Sequence, residues 1–358
     1  MAKAKGIDEI RDRIDSIDEE VLDLLNRRAS LAIEVGKAKA KEKSAIYAPE
    51  RERAIYERLA KKNRGPLSNE AVKNVFREII SASLSLEKRL TVAFLGPMAT
   101  FTHQACMKHF GLSAEFIPRK DIADVFDDVE RGRVEYGVVP IESTAEGAVS
   151  HTLDMFMTYD LKVCAEILME VSFVLLNSSG ALSDIKKIYS NPHAIAACRE
   201  RLKKELSDVT VVDVSSTAMA AKLASEDSSS AAIASESAAE LYDLRVVEKN
   251  IQDQLNNYTR FLVIGKAMAK RSSENKTSIM FSVKDSPGIL FKMLEPFATR
   301  GVNLTKIESR PQKKKAWEYV FFIDIDGHIT DPNLSEAVAE LEKLSIFLKV
   351  LGSYPSGC

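Results

Sequence analysis

Arg28 and Lys39 stand 11 residues apart in a stretch with helical patterning. At ~100° and ~1.5 Å per residue they fall within ~20° on one helix face, ~16 Å apart along the axis. Two long cationic side chains reaching toward each other from that face could grip a small dianion. A plain solvated basic face is the competing reading. Arg11 lies 17 residues before Arg28, which sets it ~25 Å away and ~100° around the helix. It cannot share a site with Arg28 on one straight helix, but a second chain running antiparallel could deliver it. Ser83 and Glu87 are i,i+4 neighbours on one face of a later helix.

A second group of polar residues sits where apolar runs end. Gly96-Pro97 follows the run 91–95 and leads into "MATFTHQA", with Thr100 among the hydroxyls that open a helix. That arrangement can bind an anion or simply cap the helix. The segment "YGVVPIESTAEGAVSHTLD" puts Glu142, Ser143 and Thr144 just past a strand end, and "NNYTRFLVIG" starts a strand with Thr259, Arg260 and Phe261. Three such clusters could converge in one cleft.

These residues need a scaffold, and the composition bounds it. The chain has 358 residues, 45% hydrophobic and 28% charged, with a net charge of -2. That excludes disordered, collagen-like and disulfide-scaffold classes. The charge gives no reason to expect nucleic acid or an anionic membrane as partner. The longest apolar runs, such as 319–323 and 194–198, fall far short of the ~20 residues that span a bilayer. No signal peptide is visible. The cysteines Cys106, Cys164, Cys198 and Cys358 lack metal-ligand spacing, so free thiols in a reducing cytoplasm are expected. None of His103, His109, His151, His193 and His328 has a partner at metal spacing.

Three regimes follow one another. Residues 1–90 hold 20 Lys/Arg against 16 Asp/Glu, and apolar residues recur at Ile7, Ile10, Ile14, Ile17, Val21, Leu24, Leu31 and Val35. This three/four spacing predicts one long amphipathic helix. Two further helices are expected over 49–62 and from Ser68 to about Arg89, separated by Gly65-Pro66. From residue 91, short β-like runs (91–95, 136–139, 163–168, 171–176, 209–214, 231–234, 260–264) alternate with helical stretches. That predicts an α/β region over 91–270 with largely parallel sheets in two lobes. After a polar linker at 271–275, residues 276–358 read as β-α-β-β-α-β, a ferredoxin-like module, with a basic turn at 312–315. The fold class is thus multidomain: three helices, a two-lobed α/β region and an α+β module.

The first segment, with "NRR", "VGKAK" and "PERE" in order, resembles the all-helical chorismate mutases. These are intertwined dimers in which each site borrows an arginine. The resemblance implies Arg11 (from the partner chain), Arg28, Lys39, Arg51, Glu52, Ser83 and Glu87 as site residues. Ala48 departs from the Asp frequent in that family. The implied pericyclic reaction needs only positioning and charge complementarity. Lys39 would stabilise the ether oxygen on one side as negative charge develops. A carboxylate cannot donate a hydrogen bond, so Glu87 needs its proton to help from the other side. Mutase activity is therefore expected to fall as pH rises.

Residues 91–268, with "FLGP…TFT", "VVPIE…EG", "SSTA", "AAIAS" and "TRF" in order, resemble prephenate dehydratase. The resemblance points to Thr259 as catalytic, able to donate a hydrogen bond to the departing hydroxyl, with Glu142 as a possible acid. Thr100, Ser143, Thr144, Ser190, Arg260 and Phe261 are the candidate substrate contacts, Arg260 binding a carboxylate or pairing structurally. Ala99, Ser143, Asn191 and His193 depart from the residues usual in that family. Finally, "SPGILFKMLEPFATRGVNLTKIESRP" resembles the ACT regulatory module of these dehydratases. It implies that phenylalanine binds between paired modules at Gly288, Ile289, Leu290, Asn303, Leu304, Glu308, Ser309, Arg310 and Pro311. Taken together, the resemblances imply a bifunctional enzyme of phenylalanine biosynthesis. Its substrates would be chorismate and prephenate, phenylalanine its effector and a homodimer or larger its assembly, with no metal or organic cofactor. The rivals are a mutase with a weakened dehydratase, and a phenylalanine-binding regulatory protein.

Overall fold

The computed structural model describes residues 2–42, 47–144, 147–254, 256–311 and 319–357. The expected basic turn at 312–315 and Cys358 lie outside the described residues. The chain packs as two compact units. One comprises Met1–Ala48, Ile55–Leu90 and Phe110–Glu115, the other Pro49–Ala54, Thr91–His109 and Phe116–Cys358.

The first unit is built on α1 (Ala2–Glu42), α3 (Asn69–Glu87) and most of α2 (Pro49–Lys62). Pro49 opens α2, where its missing N–H costs nothing. Ser68 caps α3 by accepting from the Ala71 amide at 3.1 Å. α1 packs on α3 at Gly36, where an added Cβ would stand 2.8 Å from Glu87 Cγ. The apolar stripe foreseen on α1 exists but is uncovered in the single chain, from Val21 at 45% exposed to Leu31 at 62%. The short segment Phe110–Glu115 closes this unit: Phe110 packs on Tyr47 with ring centroids 5.2 Å apart, and Ser81 Oγ accepts from the Ser113 amide.

In the second unit the α/β region runs β1 (Thr91–Leu95), α4 (Phe101–Phe110), β2 (Glu115–Arg119), α5 (Ile122–Glu130), β3 (Tyr136–Ser143), β4 (Gly147–Ala148), α6 (Ser150–Thr158) and β5 (Lys162–Glu170). It continues with β6 (Val174–Asn177), β7 (Lys187–Ser190), α7 (Pro192–Ala197), α8 (Arg199–Glu205), β8 (Thr210–Asp213), α9 (Thr217–Glu226), β9 (Ser230–Ala234), α10 (Glu236–Leu241), β10 (Arg245–Lys249) and β11 (Tyr258–Gly265). Two sheets result, ordered β2-β1-β3-β11-β5 with β4 on β3, and β10-β6-β9-β7-β8. They are mixed, which corrects the expectation of largely parallel sheets. β1 with β3, and β7 with β8 and β9, run parallel. β11 runs antiparallel to both β3 and β5, and β6 to both β9 and β10. The run expected at 171–176 is where the chain leaves one sheet, at the end of β5, and enters the other at β6.

The C-terminal module is β12 (Asn275–Val283), α11 (Ile289–Ala298), β13 (Leu304–Pro311), β14 (Tyr319–Asp326), α12 (Pro332–Leu344) and β15 (Ser345–Pro355), in sheet order β13-β14-β12-β15. Asn275, assigned to the linker by composition, already pairs with Pro355 as the first residue of β12. One face of this sheet carries α11 and α12. From the other face Val320, Phe322, Leu351 and Tyr354 enter a core shared with β1, β3, β5, β11, α5 and α6. Burying each such side chain contributes about 1.5–3 kcal/mol, which fastens the module to the first sheet. At Gly352 the approach is closest: an added Cβ would stand 2.2 Å from the Val163 carbonyl oxygen.

Candidate active sites

In the helical unit, α1 and α3 bring two of the foreseen pairs together. Arg28 Nη1 donates to Ser83 Oγ and reaches the Ile79 carbonyl at 3.5 Å. Burial lowers the Arg28 pKa, yet a guanidinium stays charged at neutral pH. The Lys39 ammonium stands 3.6 Å from the Glu87 carboxylate, whose side chain is only 6% exposed. Among the described residues, Glu87 Oε2 is buried with no hydrogen-bond partner. Arg11 is exposed and pairs only loosely with Asp8 at 3.5 Å. Its distance along α1 keeps it away from Arg28, as helix geometry requires. Arg51 and Glu52 occupy the first turn of α2, which belongs to the second unit. Arg51 is exposed and Glu52 half-buried. Ala48 leads into that helix without a side-chain cap.

The second unit holds a cleft of about 420 Å³. Thr100, Ser143, Asn191, His193, Thr259 and Phe261 all line it. Thr259 and Ser143 are direct cross-strand partners on β11 and β3. A register shift beside them leaves Ile141 without an opposite residue, so Pro140 and Ser143, three positions apart, both face the cleft. Thr100 donates to the Pro97 carbonyl at 2.9 Å and accepts from the His103 amide at 3.3 Å, so its hydroxyl caps the start of α4. His103 is a core residue, stacked on Phe94 and accepting from the Ala99 amide through Nδ1. Asn191 likewise caps α7, accepting from the Ala194 amide at 2.9 Å.

Sequence reasoning missed Lys120, Ser215, Ser216, Thr217 and Asn257, which also line the cleft. The "SSTA" motif signalled the hydroxyls; Ser216 caps α9 by accepting from the Met219 amide. Lys120 follows β2, a strand carrying Pro118 and charged ends that no apolar run announces. The termini of α4 and α9 and the Lys120 ammonium give this cleft a positive field. Among the described lining residues there is no carboxylate.

Four candidates fall elsewhere. Strand alternation turns Glu142 and Arg260 to the opposite face of the sheet from Ser143 and Thr259. There Arg260 bonds Glu166 at 2.7 Å, Glu142 at 3.1 Å, Asp324 at 2.5 Å and the Tyr354 hydroxyl at 3.0 Å. Burial works against its charge, but Tyr354, Asp324 and Glu166 hold it firmly protonated. Of its two expected roles, Arg260 therefore has the structural one. Glu142 bonds Lys306 as well. Burial pushes its carboxyl up, yet Lys306 and Arg260 outweigh that and leave it below the ordinary range. An ionised carboxylate outside the cleft is no proton donor to a ligand inside it, which corrects the expectation for Glu142. Ser190 is fully buried and donates to the Ile233 carbonyl at 2.7 Å, a core contact rather than a ligand contact. Thr144 ties the loop after β3 to Asn257 and the Tyr258 amide.

Family models place these features. A model for chorismate mutase type II matches residues 10–88, one for prephenate dehydratase matches 92–269 and one for the ACT domain matches 277–343. A bifunctional chorismate mutase/prephenate dehydratase of Aquifex aeolicus is 51% identical over 351 residues, 97% of each chain. The chain belongs to the bifunctional chorismate mutase/prephenate dehydratase family. A member from Pseudomonas aeruginosa is 42% identical over 361 residues, 99% of each chain. A solved prephenate dehydratase from Arthrobacter aurescens, in complex with L-Phe, covers 74% of this chain and 90% of its own at 38% identity and a TM-score of 0.70.

In the ACT module, Gly288 precedes α11 with φ +78. Ile289 packs into the module, whereas Leu290 is exposed. Asn303 is committed to Asp326 at 2.7 Å, and Leu304 is half-buried beside it. Glu308 is half-buried, and Ser309 and Pro311 are exposed. Arg310 leaves the module altogether: Nη1 donates to the Ser150 carbonyl and to Asp154 at 3.2 Å, both on α6 of the dehydratase domain. Among the described residues no cluster of three or more His, Cys, Asp or Glu could hold a metal.

Proposed function

We propose that the helical unit rearranges chorismate to prephenate, that the cleft converts prephenate to phenylpyruvate, and that phenylalanine bound to the ACT module restrains the second step. The observation that carries the dehydratase reading is the Thr259–Ser143 pair, which opens on a cleft with Lys120 in its wall and no carboxylate among its described lining residues. Prephenate is a dianion, and Lys120 with the N-termini of α4 and α9 supplies complementary charge. As the bond to the ring carboxylate breaks, CO2 leaves and its electron pair enters the ring. The carbon–oxygen bond at the opposite ring carbon breaks, and the departing hydroxide takes up a proton from solvent to leave as water. Thr259 donates a hydrogen bond to that oxygen as its charge grows, where a fixed donor is most effective.

In the mutase site, Arg28 and Lys39 hold the two ends of the substrate, and Arg11 arrives from a second chain. Lys39 and Glu87 flank the ether oxygen. Arg51, Glu52 and Ser83 complete the set that the family resemblance implies. The uncovered stripe on α1 supports pairing of two chains there. Exposed Leu290, Phe291 and Ile307 offer a second pairing surface on the ACT module. Phenylalanine would bind at Gly288–Leu290, Asn303, Leu304, Glu308, Ser309 and Pro311 of such a pair. No described helix is long and apolar enough to cross a membrane, and a cytoplasmic location is part of this reading.

A second reading, a working mutase beside a weakened dehydratase, rests on Ser143, Asn191 and His193 all lining the cleft. One assay decides between them: prephenate is supplied and phenylpyruvate is followed by its ultraviolet absorbance in alkali. The first reading expects turnover above the spontaneous rate, falling about 10²–10³-fold in Thr259→Ala, the loss typical of one transition-state donor. No turnover, with chorismate still consumed, leaves the second.

A further inference from the structure

Strand β13 presents alternate residues to two sides. Thr305, Ile307, Ser309 and Pro311 are exposed, whereas Lys306, Glu308 and Arg310 are half-buried. Two of the inward residues are cations whose partners lie in the dehydratase domain. Lys306 Nζ donates to Glu142, and Arg310 spans to Asp154 and the Ser150 carbonyl on α6. Glu142 immediately precedes Ser143 on β3, and Arg260 immediately follows Thr259 on β11. Arg260 itself bonds Glu142 at 3.1 Å, and Asp324 at 2.5 Å on β14, the neighbour of β13. The two cleft residues that face each other thus sit on strands whose far sides are gripped by the ACT module.

We propose that β13 couples phenylalanine occupancy to the dehydratase cleft through Lys306–Glu142 and Arg310–Asp154, so that effector binding alters the placement of Ser143 and Thr259. This rests on the readings of cleft and effector given above. The coupling is thermodynamic: phenylalanine favours the β13 position it binds better, and the two ion pairs make that position and the cleft geometry interdependent. Arg310, in the Glu-Ser-Arg-Pro motif, then serves as a link to α6 rather than as an effector contact. Lys306 and Asp154 act through other residues and touch no substrate.

The test uses full-length protein, initial rates of phenylpyruvate formation from prephenate over a phenylalanine titration, and calorimetry of phenylalanine binding. Lys306→Met and Asp154→Asn each keep kcat and KM without effector within about threefold, still bind phenylalanine, and shift or abolish inhibition. Allosteric couplings are typically about 5–150-fold, so the half-inhibitory concentration rises at least about fivefold. Lys306→Arg retains the wild-type response, which a general loosening of the module would not restore. Inhibition curves of Lys306→Met and Asp154→Asn that overlay the wild type overturn the proposal while leaving the effector reading intact. A wild type indifferent to saturating phenylalanine overturns both. Should Lys306→Met lose phenylalanine binding, Asp154→Asn decides, because its side chain lies outside the module.

Discussion

Replacing Gly36 by alanine probes the mutase site without substituting any of its side chains. The new Cβ would stand 2.8 Å from Glu87 Cγ, 2.9 Å from Cβ and 3.3 Å from Cδ. Carbon atoms in contact settle at about 3.5–4.0 Å, so the pair must part by about 0.6–1.2 Å. Rotating Glu87 relieves Cγ and Cδ but not Cβ, which is fixed to the α3 backbone. α1 and α3 must therefore separate or Glu87 must be displaced, and the 3.6 Å approach of Lys39 to Glu87 changes with it. A misplacement of about 1 Å in a positioning site costs on the order of 10²-fold in rate. Stability changes less, because overpacking costs about 1–3 kcal/mol and exchanging a helical glycine for alanine returns about 1 kcal/mol. Gly36→Ala should thus lose about 10²-fold in chorismate turnover, with dehydratase activity on supplied prephenate within about twofold of wild type. Mutase activity within about threefold of wild type would refute the claim that the α1–α3 approach sets the site. A parallel loss of both activities would show global damage instead.

Glu87→Gln, which places an amide donor where the carboxyl stands, should keep chorismate turnover, whereas Glu87→Ala should lose about 10²-fold; equal turnover in both would contradict the assigned role. If Arg11 is delivered by a second chain, Arg11→Ala and Arg28→Ala are each inactive, yet unfolding and refolding them together restores activity. A mixed dimer has one site with both arginines intact, so recovery can reach about one quarter of wild type. No recovery would place Arg11 outside the site.

Much of the architecture is readable from periodicity. The three/four spacing from Ile7 to Val35 announces α1, because only a helix puts those residues on one side, and the βαββαβ order of the C-terminal module follows from its alternating runs. Strand direction is different: an apolar run says that a strand exists, not which way its neighbours point, and the mixed sheets went unforeseen. β2 was invisible because Pro118 and flanking charges interrupt its pattern, and Lys120 was lost with it. In the cleft, motif adjacency misled where strand alternation would not have. Glu142 and Ser143, like Arg260 and Thr259, are chain neighbours on opposite faces of a sheet. Only the structure shows that Glu142 and Arg260 belong to the ion-pair network beneath the ACT module. Ser190 reads as polar and proves to be a core hydroxyl satisfied by the Ile233 carbonyl.

The most direct measurement supplies chorismate alone and follows chorismate, prephenate and phenylpyruvate together in wild type and Thr259→Ala. Wild type should pass chorismate through prephenate to phenylpyruvate, whereas Thr259→Ala should consume chorismate at the wild-type rate and accumulate prephenate. Phenylpyruvate forming equally fast in both, or chorismate left unconsumed by wild type, would contradict the assignment of two sites to one chain.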